Sequence, residues 1–138
     1  MVSDNYIRSA VVNRIIDGDT VEVIIDLGFS IKIKKTVRML GYNAPELTSS
    51  NTEERELAQI AKKCLSNLLY GKSIMLQTVK FNEDMYGRLL GIEWIETDKS
   101  INDQMLEFGV CVPYDGKGKR PIVDWSKYLV EWKTKNPV

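Results

Sequence analysis

Apolar positions in the first third of the chain recur at strand spacing. Residues 10–16 are rich in Val and Ile, and a second such run over 21–25 follows a turn at Asp17-Gly18-Asp19. Asp26-Leu27-Gly28 reads as the next turn. Residues 29–39 alternate most strictly at Ile31-Lys32-Ile33-Lys34, which predicts a half-exposed strand with one basic face. Residues 47–51 are a polar loop. The period then changes: Leu57, Ile60, Ala61, Cys64, Leu65, Leu68 and Leu69 form one helical stripe. Asn51 is placed to cap this helix with Glu54 in the capping-box position, and Gly71 to end it. Two further strands are predicted over 73–79 and 89–95, joined by a polar, hairpin-like segment over 80–88. Ser100 caps a short helix carrying Ile101, Met105, Leu106 and Phe108 and ended by Gly109. Residues 113–121 form a loop with Gly116, Lys117, Gly118, Lys119 and Arg120. A last helix, about 122–135, gathers Trp125, Tyr128, Leu129 and Trp132 on one face.

The order is three strands, a helix, two strands and two helices. It predicts an α+β, mainly β fold: a five-stranded OB-type Greek-key barrel with three α-helices. An open α+β sheet is the competing arrangement. Parallel crossovers are disfavoured, because only one long helix lies between strands. We read residues 1–138 as a single domain, since 138 residues suffice for one core without disulfides or metal.

Composition narrows the chemistry. Lys plus Arg equals Asp plus Glu, so the net charge is zero, which argues against a sequence-independent nucleic-acid coat but not against a local basic cleft. There is no histidine, which removes the usual general base, the usual zinc ligand and the Ser-His and Cys-His nucleophile systems. The two cysteines, Cys64 and Cys111, read as buried thiols rather than a ligand pair. The N-terminus lacks a basic region followed by an apolar run, and no stretch is long enough to span a membrane. The expectation is a monomer without membrane attachment, cytoplasmic as it stands, or secreted if a leader was removed.

The candidate chemistry lies in three segments. Asp19 and Thr20 belong to the first acidic turn, where the hydroxyl can fix the carboxylate's rotamer. Arg38 closes a strand, and Glu46 follows Pro45 just beyond it. Asp84-Met85-Tyr86-Gly87-Arg88 aims large side chains from a polar tip. Taken singly, each has a plain reading: a turn, a strand end with a loop carboxylate, a hairpin tip. Taken together, they join carboxylates suited to a hard cation with arginines suited to a phosphate. Lys32, Lys34, Lys35, Lys117, Lys119 and Arg120 either flank that cleft or form a solvated face and loop.

With the further run Val37-Arg38-Met39-Leu40-Gly41-Tyr42-Asn43-Ala44-Pro45-Glu46 and the segment Asn102-Asp103-Gln104-Met105-Leu106-Glu107-Phe108-Gly109, the chain resembles the staphylococcal nuclease-like (thermonuclease) family over about residues 8–115. The resemblance implies calcium-dependent, sugar-nonspecific hydrolysis of DNA and RNA, with single-stranded or frayed nucleic acid as the expected substrate. By motif position, Glu46 would be the general base, and Arg38 and Arg88 would bind the phosphate, Arg88 near the leaving oxygen. Asp19 would be a Ca2+ ligand, joined by Asn43 and the carbonyl of Ala44. Tyr86, with Asp84 beside it, would contact a terminal phosphate, and Tyr114 would stack on the base. The chain departs from the pattern at Asn43, where the family has a second metal-binding Asp; an amide oxygen ligates calcium but brings no charge. Met85 replaces a common basic residue. The alternative reading is a weak or inactive OB-type module that binds nucleic acid or a protein.

Overall fold

A computed structural model describes residues 3–83, 87–95 and 98–137, without the side chains of 80–83. Strands β1 (Ile7–Asp17), β2 (Thr20–Gly28) and β3 (Ile31–Met39) form a meander. Short β4 (Gly41–Asn43) and the long helix α1 (Thr52–Leu69) lead to β5 (Ser73–Glu83) and β6 (Leu89–Trp94). Helix α2 (Ile101–Glu107), β7 (Val112–Tyr114) and α3 (Trp125–Lys135) complete the chain. The sheet closes in the order β1-β2-β3-β6-β5, with β5 returning to pair with β1 from Ile7↔Gln77 to Val11↔Ser73. The β3–β6 pair is parallel and the other barrel pairs are antiparallel. This is the closed OB-type barrel with three helices expected from the element order, not the open sheet. Closure leaves no unpaired edge on the main sheet, and Val12, Val21, Val23, Val37, Met39 and Leu76 fill its interior.

Three local expectations are corrected. The turn expected at Asp26-Leu27-Gly28 lies two residues later. Asp26 Oδ1 accepts the Gly28 N–H at 2.8 Å and the register slips there, so β2 continues to Gly28 opposite Ile31. The reversal falls on Phe29 and Ser30, both at positive φ, as a two-residue hairpin turn requires. Strand β5 runs four residues past its predicted end. The pair β4–β7 was not anticipated: Gly41↔Tyr114, Tyr42↔Pro113 and Asn43↔Val112. Three-residue strands carry too little alternation to be seen in a sequence, and Pro113 is tolerated because this two-stranded sheet is all edge.

Helix α1 buries Leu57, Ala58, Ala61, Cys64, Leu65 and Leu69 and packs against β1 and α3. Its predicted cap is present, with the Asn51 side chain accepting the Glu54 N–H. The β1–β2 turn is wedged between this helix and the chain after β4. A Cβ on Gly18 would lie 2.8 Å from Ala61 Cβ and 2.9 Å from Ala44 Cβ. Helix α2 is stitched to the barrel through buried Asn102. Its Nδ2 donates to the carbonyls of Leu40 (2.7 Å) and Gly91 (3.1 Å), and its Oδ1 accepts the Glu93 N–H. Among the described residues, no helix is long and apolar enough to cross a membrane.

Glu93 is the anomaly of the core. It points inward from β6, is fully buried, and neither carboxyl oxygen has a hydrogen-bond partner among the described residues. Burial pushes its pKa from 4.5 up to about 8. The folded state therefore holds a proton that the unfolded state loses above pH 4.5. The resulting stability is fully present below pH 4.5 and is lost as pH rises toward 8. The whole loss amounts to about 5 kcal/mol.

Urea unfolding at pH 5, 7 and 9 should show this decline, and Glu93→Gln should flatten it. A wild-type stability that does not fall over that window would place a counter-charge beside Glu93. Gly18→Ala should cost about 1–3 kcal/mol, because both atoms met by the new methyl are rigid Cβ atoms. Neutral unfolding behaviour in that variant would contradict the close packing.

Candidate functional site

The β1–β2 turn presents Asp17, Asp19 and Thr20 at one end of the barrel. Asp17 Oδ1 accepts the Asp19 N–H at 3.1 Å, which closes the turn locally. The buried Asp19 carboxylate is held from both sides. Its Oδ1 accepts the Thr20 hydroxyl at 3.0 Å, and its Oδ2 accepts the Ala44 N–H at 2.9 Å. Thr20 thus has the orienting role that its position next to Asp19 suggested. Asp17 lies close enough to Asp19 for the two carboxyls to interact. Burial first, and then the hydrogen bond and like charge of Asp19, push Asp17 up to about 6. Asp17 is thus placed beside the acid it was expected to supplement, offsetting the charge that Asn43 lacks.

Arg38 is not an exposed strand-end arginine. It is buried, and its Nη1 donates to the carbonyls of Met39 (2.9 Å) and Tyr42 (3.0 Å). Its Nη2 lies 3.3 Å from Asp19 Oδ2 and donates to Asn43 Oδ1 at 3.4 Å. The guanidinium therefore sits at the hub of the bend from β3 into β4 and neutralises Asp19. Tyr42, wholly buried, donates its hydroxyl to the Gly18 carbonyl at 2.8 Å and ties the bend to the acidic turn. Burial holds its hydroxyl well above the ordinary phenol range. Sequence reasoning missed Tyr42; its place between Gly41 and Asn43 gives no periodic signal. Cys64 and Cys111 are both buried free thiols, as expected.

Glu46 follows Ala44 by two residues and stands half-exposed. Its N–H donates to Glu54 Oε2 at 2.8 Å, while Glu54 Oε1 accepts the Ser49 hydroxyl. Glu54 was expected to reach back to the N–H of Asn51; it reaches further and holds the Glu46 backbone instead, and Asn51 N–H goes to Ser49 Oγ. The Glu46 carboxylate pairs with Arg120 Nη1 at 2.5 Å. Arg120 comes from the loop after β7, which Tyr114 anchors by donating its hydroxyl to the Gly118 carbonyl at 2.7 Å.

The structure thus brings together Asp19, Arg38, Asn43 and Ala44, with Glu46 on the same loop. Half-buried Arg88 immediately precedes β6, whose Leu90 pairs with Arg38. Tyr114 lies across from Gly41. The predicted Asp84 and Tyr86 lie outside the described residues. Lys32 and Lys34 stand on the outer barrel face, with Asp26 opposite Lys32, which matches the solvated-face reading of that strand.

The donors around the turn are all hard oxygens: two neighbouring carboxyls, the Asn43 amide oxygen and backbone carbonyls. That set suits calcium rather than zinc. A carboxylate has about four lone-pair sites. Asp19 keeps some of them beyond those used by Thr20, Ala44 and Arg38, but among the described residues no group of three or more His, Cys, Asp or Glu side chains gathers to hold an ion.

Comparison with known proteins bears on this geometry. Residues 36–129 match the profile of the staphylococcal nuclease homologue family. A probable endonuclease of Schizosaccharomyces pombe is 34% identical over 87 residues, covering 59% of this chain and 37% of that protein. Protein ParB of Escherichia coli is 26% identical over 114 residues, 77% of this chain and 57% of that protein. An uncharacterized endonuclease of Escherichia coli O157:H7 is 26% identical over 110 residues, 80% of this chain and 63% of that protein. The chain therefore spans between 37% and 63% of the length of these relatives. With a family match across both the β3–β4 bend and the loop of Arg120, on a closed five-stranded barrel, this chain belongs to the staphylococcal nuclease homologue family.

Proposed function

We propose that the chain is a calcium-dependent nuclease that hydrolyses phosphodiester bonds of DNA and RNA without regard to sugar. The observation that carries this reading is the cluster itself: Asp19 and Asn43 gathered around Arg38, with the Glu46 carboxylate presented two residues beyond Ala44. In this reading Glu46 takes a proton from a water whose oxygen bonds to phosphorus. One bridging P–O bond breaks, and its oxygen leaves with the electron pair. Arg38 and Arg88 face the negative charge that builds on the phosphoryl oxygens, with Arg88 toward the leaving oxygen. Arg38 is held by the Met39 and Tyr42 carbonyls while its Nη2 faces Asp19 and Asn43, so reaching a phosphoryl oxygen requires Nη2 to exchange one of those partners for it. Asp19, Asn43 and the Ala44 carbonyl would hold the ion, with Asp17 as a neighbouring carboxyl. Bound calcium would supply positive charge at the developing phosphorane. Tyr114 is assigned to base stacking, Tyr86 to the terminal phosphate, and Asp84 to substrate binding beside it.

The Arg38–Asp19 pair also favours a second reading. Arg38 already neutralises Asp19, and Asn43 adds no charge, so a metal meets a weaker field than two aspartates would give. A binding module without turnover follows if that field is too weak.

Cleavage of a labelled single-stranded oligonucleotide, with calcium and with chelator, separates the two. Cutting should need calcium and should drop about 10²–10⁴-fold in Glu46→Gln, the usual worth of a general base. Asn43→Asp should raise the rate and lower the calcium concentration required. No cutting by either the wild type or Asn43→Asp would leave the binding module standing and remove the nuclease.

A further inference from the structure

Arg120 of the β7–α3 loop holds the carboxylate to which the proposed function assigns proton abstraction. The contact spans 74 residues of sequence and joins two loops that share no strand pairing. Both partners are well exposed, 40% for the Arg120 side chain and 50% for Glu46. An ion pair so open to water is weakly held, because each charge is nearly as well solvated apart as together. The segment that carries it is also the most basic in its neighbourhood. Lys117 and Lys119 are exposed beside Arg120, and neither pairs with a carboxylate among the described residues. Gly116 and Gly118 take positive φ, which folds the loop tightly. Tyr114, fastened to Gly118, then leaves Lys119 and Arg120 on the free half, from which Arg120 reaches Glu46.

We propose that Arg120 exchanges partners. In the free protein it pairs with Glu46; when a nucleic-acid strand arrives, it turns to a backbone phosphate beside the scissile one and frees the Glu46 oxygen for water. A planar guanidinium forks onto a phosphate with two parallel hydrogen bonds, whereas here it makes one contact with Glu46. A strand also brings several negative charges against this loop at once. The exchange makes Arg120 a substrate-binding residue and couples release of the base to occupancy by a polyanion. It rests on Glu46 being the base, as proposed above.

The test is binding of a short labelled oligothymidylate in chelator, which stops turnover, across a salt series. Wild type, Arg120→Gln, Arg120→Lys, Glu46→Gln and the Glu46→Gln/Arg120→Gln pair are compared. Arg120→Gln should weaken binding several-fold and flatten the slope of log K against log salt by about 0.7, one single-strand phosphate contact. Arg120→Lys should keep most of that slope. Glu46→Gln should tighten binding, and the tightening should shrink when residue 120 is already Gln, because only a freed Arg120 can add a phosphate contact. A salt slope unchanged in Arg120→Gln, or equal tightening in both backgrounds, overturns the exchange. If wild type cuts DNA while either of those results holds, only this inference falls. A wild type that neither binds nor cuts removes the nuclease reading together with it.

Discussion

The buried ion pair between Arg38 and Asp19 is what the rest of the site leans on. Two charges taken out of water are costly unless each is fully engaged. Here the engagement is dense: Asp19 accepts from Thr20 and Ala44, while Arg38 donates to Met39, Tyr42 and Asn43. Every one of those partners lies in the β1–β2 turn or in the stretch from the end of β3 to the residue after β4. Satisfying the pair is therefore the same act as folding the two segments against each other. Removing one member of such a pair typically costs about 3–5 kcal/mol. Alanine at Arg38 or Asp19 would test folding as much as chemistry, which makes exposed Glu46 and Arg120 the cleaner places to change charge.

The pair can sit there because the surrounding chain leaves room for it and closes over it. Gly18 lets the acidic turn approach Ala44 and Ala61. Tyr42 fills the space under the turn and donates to the Gly18 carbonyl. The parallel β3–β6 pairing sets Leu90 beside Arg38, and Asn102 locks Leu40 and Gly91 together just beyond. Asn102 belongs to one of the segments that carry the family resemblance, and its work here is structural. It satisfies two carbonyls and one N–H at a junction where strand pairing has run out.

The barrel was legible because its signals are periodic. The Val/Ile runs of β1 and β2, the alternation of β3 and the stripe of α1 each repeat over enough residues to stand out. The turn at Phe29-Ser30 was not, because an Asx turn at Asp26 moved it two residues and neither Phe nor Ser favours positive φ. The β4–β7 pair was invisible for want of length. At the site, residue types and order identified Asp19, Arg38 and Glu46 as candidates and the family resemblance added Asn43; the fold gathers Asp19 and Asn43 around the Arg38 guanidinium. What could not be read was burial. Nothing in the sequence tells an arginine that closes a strand from one that becomes the hub of a bend. Nor does it show that Glu54 reaches past its own helix cap to Glu46, or that a loop 74 residues away supplies Arg120.

The departure at Asn43 is then a difference in charge rather than in oxygen supply. Its amide oxygen faces Arg38 Nη2 much as a carboxylate oxygen would, so the local hydrogen bonding is preserved. What changes is the sum around the guanidinium. Asp19 and Arg38 cancel, Asn43 adds nothing, and the remaining negative charge must come from Asp17, whose carboxyl is pushed up to about 6 by burial and by Asp19. An aspartate at position 43 would add a full charge against the same guanidinium without altering a strand, a turn or a cap. Position 43 therefore sets the electrostatic field of the cluster while leaving its architecture alone, because the backbone that carries it is already fixed by β7 on one side and by the Arg38–Tyr42 bond on the other.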